Sequence, residues 1–382
     1  MKKKASICAA AAVLLFASSG SFAAAEEVAP FVIVSARANA MGGSHVALVD
    51  DFSTLFSNPA GFVSAKEELS VAELTFEAYG PLFDLIDSAS TYAKDKTLDL
   101  SGLVGPRGMK AGLDVVGPIS FGWVGRGLGF GFFNRSNISA EAQGSNIDAT
   151  VSQDLMLVGG YAFRFTPKDG HDVDLGFLAK GLLRGTSVSE ASILTVTDLF
   201  ENYSLSSAPF TLTAGVGLDV GVRYEQAKTW AAALVCRDLY SPVQVTEYES
   251  VDNFLNGSDE EPKSDSETIP QRLDIGFVYF PHVPVLDRYL SGMIVAIDYR
   301  DMLGMFDLIP RNFILNFGIG AEVVVLDVLS LRVGINEALP SVGFGLDLDF
   351  MRLDFAMRGI EFGLDPGYNP VFAMDLGLLF RY

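Results

Sequence analysis

A chain of 382 residues with 49% hydrophobic and 19% charged residues, 38 glycines and 29 phenylalanines is too apolar for disorder and unusually aromatic for a cytosolic enzyme. Its formal charge of −20 excludes nucleic-acid binding by phosphate neutralisation and fits a solvated exterior or a polar cavity. Length alone leaves one large β domain or two ordinary domains open.

The first residues carry Lys2, Lys3 and Lys4, an apolar core from Ile7 to Phe16, and Ala23 and Ala25 placed for cleavage before Glu26. Residues 1–25 are therefore expected to be an export signal. Cys8 leaves with it, so Cys236 remains alone and no internal disulfide is possible. Beyond the leader no run of eighteen or more apolar residues occurs, so no helix spans a bilayer. A water-soluble β-rich protein and a barrel in an outer membrane remain.

Residues 26–66 form a compact block punctuated by Gly42 and Gly43 and ending in Asn58-Pro59-Ala60-Gly61. The glycines permit close approach, and Pro59 restricts Asn58 to extended geometry. After it the pattern changes to strict alternation. From Phe210 to Glu225, Phe210, Leu212, Val216, Leu218, Val220 and Val222 share one face, while Thr211, Thr213, Asp219 and Arg223 share the other. Ser341 to Arg358 repeats this around a tight turn near Phe350.

A sandwich alternates too, but its strands usually run about five or six residues. Here alternation persists about twice as long, with Phe and Leu on one face and Gly, Asp and Arg on the other. The reading is an all-β fold: a transmembrane antiparallel barrel over 67–382 with about fourteen strands and an N-terminal hatch in the lumen. The expected strands are 67–79, 112–122, 127–141, 150–165, 172–186, 210–224, 228–238, 271–280, 291–301, 311–325, 328–336, 340–349, 350–359 and 370–382.

Long connections at 80–111, 142–149, 187–209, 239–270, 302–310 and 360–369 alternate with short ones at 123–126, 166–171, 225–227 and 326–327. That is the inequality expected of external loops and periplasmic turns. The connection 281–290 is longer than its place predicts. Helical spacing of Leu82, Leu85, Ile86 and Ala89, and of Ile193, Val196, Leu199 and Phe200, predicts short amphipathic helices within 81–100 and 189–204. The acidic run Asn256 to Thr268 lacks EF-hand spacing and reads as a solvated loop.

The inner-face cations are Lys180, Arg184, Arg223, Arg332, Arg352 and Arg358, candidate partners for a ligand carboxylate. Acids such as Asp219 near Arg223 and Asp354 near Arg352 make mutual pairing across the wall the default. No Gly-x-Ser-x-Gly, His-Glu-x-x-His or Walker motif occurs, and His45, His171 and His282 are far apart, so no catalytic residue, metal or cofactor is assigned. His45 reads as a packed residue.

The ordered set Ala36-Arg37-Ala38, Met41-Gly42-Gly43, Ala47, Asp50-Asp51, Ser53 and Asn58-Pro59-Ala60-Gly61 resembles the FadL family of outer-membrane long-chain fatty-acid transporters, including relatives in spirochaetes and the PorV group. The motif covers about twenty-five residues, and the leader and strands extend the likeness over most of the chain. The resemblance implies a plugged barrel in the bacterial cell outer membrane that passes a long-chain fatty acid or other hydrophobic ligand by diffusion. It also implies lateral exit through a wall gap. Arg37, Met41, Gly42, Gly43, Asp50, Asp51, Asn58, Pro59, Ala60 and Gly61 would then belong to the hatch.

The Gly-rich stretch with Gly125, Gly127, Gly129 and Gly131 is the candidate gap, or else its glycines admit bulky neighbours across the wall. No ligand-binding side chain carries over by a local motif. The expected surroundings are the hydrophobic ligand and outer-membrane lipid, with the chain a monomer that binds no nucleic acid. Three alternatives stay open: a PorV-like binding or assembly partner without transport, an enzyme embedded in the barrel, and a general porin.

Overall fold

The computed structural model describes residues 28–33, 35–82, 84, 87, 107–144, 146–192, 205–257, 261–284 and 289–381. The expected signal 1–25 lies outside the described residues, as do most of 81–100 and all of 193–204.

Among the described residues, seventeen strands form one sheet. They are β1 (Glu68–Tyr79), β2 (Met109–Val116), β3 (Phe121–Gly125), β4 (Leu128–Gln143), β5 (Asn146–Lys168), β6 (His171–Ser192), β7 (Phe210–Gln226), β8 (Trp230–Tyr240) and β9 (Pro242–Tyr248). The remainder are β10 (Lys263–Thr268), β11 (Arg272–Tyr279), β12 (Leu290–Tyr299), β13 (Phe317–Val325), β14 (Leu329–Asn336), β15 (Leu339–Leu348), β16 (Met351–Glu361) and β17 (Pro370–Arg381). Three staves are each built from two segments, β2 with β3, β8 with β9, and β10 with β11, so the seventeen strands make fourteen antiparallel staves. β1 pairs with β17 from Ala72 opposite Phe380 to Tyr79 opposite Ala373, and the sheet closes. Closure satisfies the backbone without an edge, which a lipid-embedded sheet requires.

The alternation sets which face meets what. Val216 and Val222 of β7 are exposed on the outside, while Asp219 and Arg223 are buried on the inside. The ten residues of β12, at about 3.3 Å each and tilted about 40°, rise about 25 Å, the height of an apolar membrane band. Aromatic pairs mark the end with the tight turns: Trp123 with Phe130 at 6.0 Å, Trp230 with Phe277 at 5.7 Å, and Tyr224 with Trp230 at 5.3 Å between ring centroids. Tyr299 and Phe317 meet edge-on at 4.8 Å at the other end.

Several boundaries differ from the expected ones, each for a local reason. The single strand 112–122 is two, because Gly117 takes φ +95° and Pro118 has no N–H for the ladder. The loop 239–270 contains β9 and β10, and its acidic run is partly the exposed strand Lys263–Thr268. Outside the bilayer a strand need not show an apolar face, so the alternation template misses it. β13 starts at Phe317 rather than near 311, because the Asn312 side chain accepts from the Ile314 N–H and starts a 3₁₀ turn over Phe313–Asn316. Ser189 to Ser192, expected within a helix, continue β6, and the connection 142–149 shrinks to residues 144 and 145.

The segment before β1 folds inside the ring. Helix α1 (Ala36–Ala40) is capped by Ser35, whose hydroxyl accepts from the Ala38 N–H at 3.3 Å. Helix α2 (Thr54–Ser57) leads into a 3₁₀ turn over Pro59–Val63, where the extended Asn58 accepts from the Ala60 N–H at 3.0 Å. Phe52, Leu55 and Phe62 pack with Phe133, Met156, Val158 and Leu178 of the wall in one apolar cluster. Met41, Val46 and Leu48 pack with Ala233, Val235 and Val278 in another.

Candidate functional site

The N-terminal block is clamped to two arcs of the wall. Arg37 donates from Nη1 to Asp50 Oδ1 and Asp51 Oδ2, both at 2.7 Å. It also donates from Nη2 and Nε to the two carboxylate oxygens of Glu322 on β13, at 2.7 and 3.0 Å. Arg332 joins Glu322 at 2.6 Å to Asp354 at 2.6 Å, and Arg352 joins Asp354 at 2.9 Å to Asp51 at 2.7 Å. Three guanidiniums and four carboxylates thus alternate between block and wall. Burial opposes the Arg37 charge, but Asp50, Glu322 and Asp51 outweigh it and hold its pKa well above the usual value. Burial also opposes the Asp51 carboxylate, yet Arg37 and Arg352 beside it hold its pKa below the carboxylate range.

Steric fit completes the clamp. Gly42 has φ +69°, and a Cβ there would lie 2.4 Å from the Ile335 carbonyl oxygen and 2.5 Å from that of Ile319. Met41 is fully buried in the adjoining notch. On the opposite arc, a Cβ at Gly176 of β6 would lie 2.2 Å from the Pro59 carbonyl carbon. Wall glycines on the inner face are therefore seats for the block's backbone. Asn58 donates to the Val46 carbonyl at 3.0 Å, Ala60 is buried, and a Cβ is present at Gly61 only at the cost of a 2.4 Å approach to Val49. Gly43, with φ +74°, touches the Arg300 guanidinium.

The six inner cations all have carboxylate partners. Lys180 lies 2.8 Å from Asp219 and 2.6 Å from Asp238, and Arg184 lies 2.7 Å from Asp154. Arg223 pairs with Glu225 at 2.6 Å and lies 3.6 Å from Asp174. Arg358 pairs with Glu77 at 2.7 Å and Asp375 at 3.3 Å. Asp219 thus serves Lys180 rather than Arg223. Arg332 and Arg352 are spent in the clamp.

Sequence reasoning passed over Arg300, although its signal was present: it continues the inward parity of Ile294, Ala296 and Asp298 just past the end of β12. Arg300 donates to the Asn336 side-chain oxygen and has no carboxylate within 4.0 Å among the described residues. Burial lowers its pKa from the usual arginine value, with Arg272 adding to the shift and Glu337, Asp298 and Asp274 opposing it. Next to it, Arg237 donates to Asp274 at 2.9 Å and to the Phe56 carbonyl, while its Nη2 is buried without a partner among the described residues. His45, in the block, faces the same cavity, with its backbone N–H donating to Asp298 Oδ2 at 2.6 Å and its Nδ1–H to the Gly43 carbonyl at 2.7 Å. Burial and the Arg237 charge push its pKa down to about 4, so it is neutral at pH 7.

These groups face a cavity of about 770 Å³. Phe31, Ile33, Phe56, Met156, Val158 and Leu178 supply apolar lining, and Arg237, Arg300 and His45 line it together with acids such as Asp219, Asp238, Asp301 and Glu337. Its volume lies within the range of about 300–1,000 Å³ typical of small-molecule sites.

Among the described residues, the wall is interrupted between β2 and β3. β1 pairs with β3 through Glu68–Ser70 and with β2 through Thr75–Tyr79. Between those ladders the Glu73 N–H donates to the Ser120 carbonyl at 3.2 Å. Phe133, fully buried, stands behind the break with Phe56 at 4.7 Å and Phe52 at 6.0 Å. The glycines expected at a gap lie beside this break and not in it. Gly129 and Gly131 of β4 are laddered to both β3 and β5, and Gly125 and Gly127 flank the turn at Arg126. Gly129 faces Phe62 and Leu55, so it accommodates bulk from the block.

No family model and no curated protein matches the chain. Among solved structures, the Pseudomonas putida toluene transporter TodX is 13% identical, over 93% of this chain and 99% of its own, with a TM-score of 0.47. The Ralstonia pickettii toluene transporter TbuX is 10% identical over 90% and 96%, with a TM-score of 0.48. A Pseudomonas aeruginosa FadL homologue is 11% identical over 88% and 95%, with a TM-score of 0.44. Likenesses this remote leave the functional argument to the chain's own residues.

Proposed function

We propose that the chain is an outer-membrane conduit through which long-chain fatty acids or similar lipophilic small molecules diffuse passively. The observation that carries this reading is the cavity: aromatic and aliphatic groups for a hydrocarbon body share its lining with Arg300, a cation with no carboxylate within 4.0 Å among the described residues. Unfilled guanidinium N–H groups next to an apolar wall suit a molecule with one anionic head and one long tail. Residues 26–66 act as the hatch, held shut by the Arg37 clamp. The ligand leaves sideways at the 117–120 interruption once Phe52, Phe56 and Phe133 part. Transport needs no cofactor, metal or energy source.

Labelled oleate tests the reading. Wild-type protein is expected to bind it, and Arg300→Gln to bind about 10- to 150-fold more weakly, the loss of a hydrogen bond to a charged group worth about 1.5–3 kcal/mol. A fatty alcohol of equal length should bind both proteins alike. Equal oleate binding by wild type and variant removes Arg300 from the site. No binding of either lipophile, with a stoichiometric partner protein recovered instead, favours an assembly role.

A further inference from the structure

The β12–β13 connection, residues 300–316, carries the most exposed apolar side chains of the described residues. Phe306 is 83% exposed, Leu308 103% and Ile309 74%, each more than any outward strand residue that faces the band. The segment is nonetheless firmly held at both feet. At one foot the Met302 N–H donates to the Leu273 carbonyl at 2.8 Å, and the Asp301 N–H donates to Asp274 at 2.8 Å. At the other, Arg311 donates to Glu337 at 3.0 Å and to the Glu361 carbonyl, and the Asn312 N–H donates to the Leu364 carbonyl at 2.8 Å.

Arg311 lines the internal cavity together with Leu303, Ile309 and Leu315, and the exposed Asp307 borders it. Phe313 and Ile314 are exposed and run on into Phe317 and Ile319, the outward face of β13. The rim is low here. The β12–β13 ladder ends at Tyr299 opposite Phe317, level with Ile275, whereas the neighbouring β8–β11 pair continues to Arg237 opposite Arg272 and then into the β9–β10 hairpin. The apolar surface of the loop is therefore continuous with the lipid-facing band at the one place where its other surface lines the cavity.

We propose that residues 302–316 form a lipid-inserted arm, with Phe306 and Leu308 seated among the acyl chains of the leaflet on the long-loop side. The occupant of this surface is bilayer lipid. Continuity with the band argues for it, and Arg311 is turned away from it, tied to Glu337 and the Glu361 carbonyl. The arm then gives the cavity a side entrance for molecules already dissolved in the membrane. That entrance rests on the transport reading; the insertion does not.

Depth measurement tests the insertion. Leu308→Trp, in vesicles of phosphatidylcholine brominated along the acyl chains, should lose the larger share of its added emission, with the Trp123 and Trp230 background subtracted using the unmodified protein. Aqueous iodide should leave that emission unchanged. Phe306→Trp gives a second reading at the same depth. Quenching by iodide and not by bromolipid at both positions overturns the proposal, as does emission shielded from both quenchers, which points to a protein partner or a second copy of the chain. Uptake tests the entrance. Phe306→Asp with Leu308→Asp should slow uptake of oleate presented in donor vesicles and spare uptake of a water-soluble short-chain acid; equal loss of both overturns the entrance. Failure of wild-type protein to take up either overturns the transport reading and leaves the quenching result standing.

Discussion

Replacing Arg37 by Met keeps much of the side-chain volume and removes the one group that ties Asp50, Asp51 and Glu322 together. Asp50 is 41% exposed and rehydrates, but Glu322 is 2% exposed and retains only Arg332, while Asp51 retains Arg352. Breaking a buried pair by deleting one partner costs about 3–5 kcal/mol, because a buried charge is left short of its partner. If that cost falls on the docked block, the docked-to-undocked ratio drops by about two to three and a half decades. Planar-bilayer conductance reads the change directly. Wild-type protein should conduct little, and Arg37→Met should show frequent or steady openings. Arg37→Lys, which keeps the charge and loses the bidentate fork, should fall between. Adding Glu322→Gln to Arg37→Met removes the orphaned carboxylate and should recover part of the loss, with a coupling of about 1–3 kcal/mol. Closed traces for Arg37→Met, indistinguishable from wild type, would refute the clamp.

Three further outcomes are expected. Gly176→Val drives a branched side chain into the Pro59 backbone, so the Pro59–Phe62 turn should leave its seat, and proteolysis within residues 26–66 should become fast while the barrel remains resistant. His45 has a folded pKa of about 4 against 6.5 when released, so its contribution is fully present above pH 6.5 and is lost as the pH falls toward 4. The loss is at most about 3 kcal/mol, and acid-induced channel opening in wild type should be blunted in His45→Gln; identical acid responses would remove His45 from the account. Phe133→Ala opens space behind the wall break at a cost of about 3–5 kcal/mol in stability, and it should speed lipophile release into the bilayer without raising ion conductance.

The strands were legible because lipid outside and charge inside impose strict period-two alternation on the chain, as in Phe210 to Glu225. Legibility failed where that constraint lapses. The β9–β10 hairpin has water on both faces, so Lys263–Thr268 reads as a loop. The break at Gly117 is one residue's dihedral and one missing N–H. Lys180, Arg223 and Arg352 each meet a carboxylate, but which one depends on register between strands that local pattern does not carry. Asp219 therefore meets Lys180 across β6 and β7, and Arg37 meets Glu322 across 285 residues of chain. Arg300 escaped notice because nothing local distinguishes an arginine held by an amide from one held by a carboxylate. The wall glycines are the converse case. Gly176 and Gly320 look like weak points in strands, and their purpose is visible only once Pro59 and Met41 lie against them.

Mass spectrometry of protein extracted gently from its native membrane, under conditions that preserve bound molecules, tests the central claim most directly. The account predicts a co-purified lipophile with a single anionic head and a long hydrocarbon chain, at about one per barrel, lost from Arg300→Gln and retained by Arg37→Lys. A lipid-free barrel carrying a stoichiometric partner protein would contradict it.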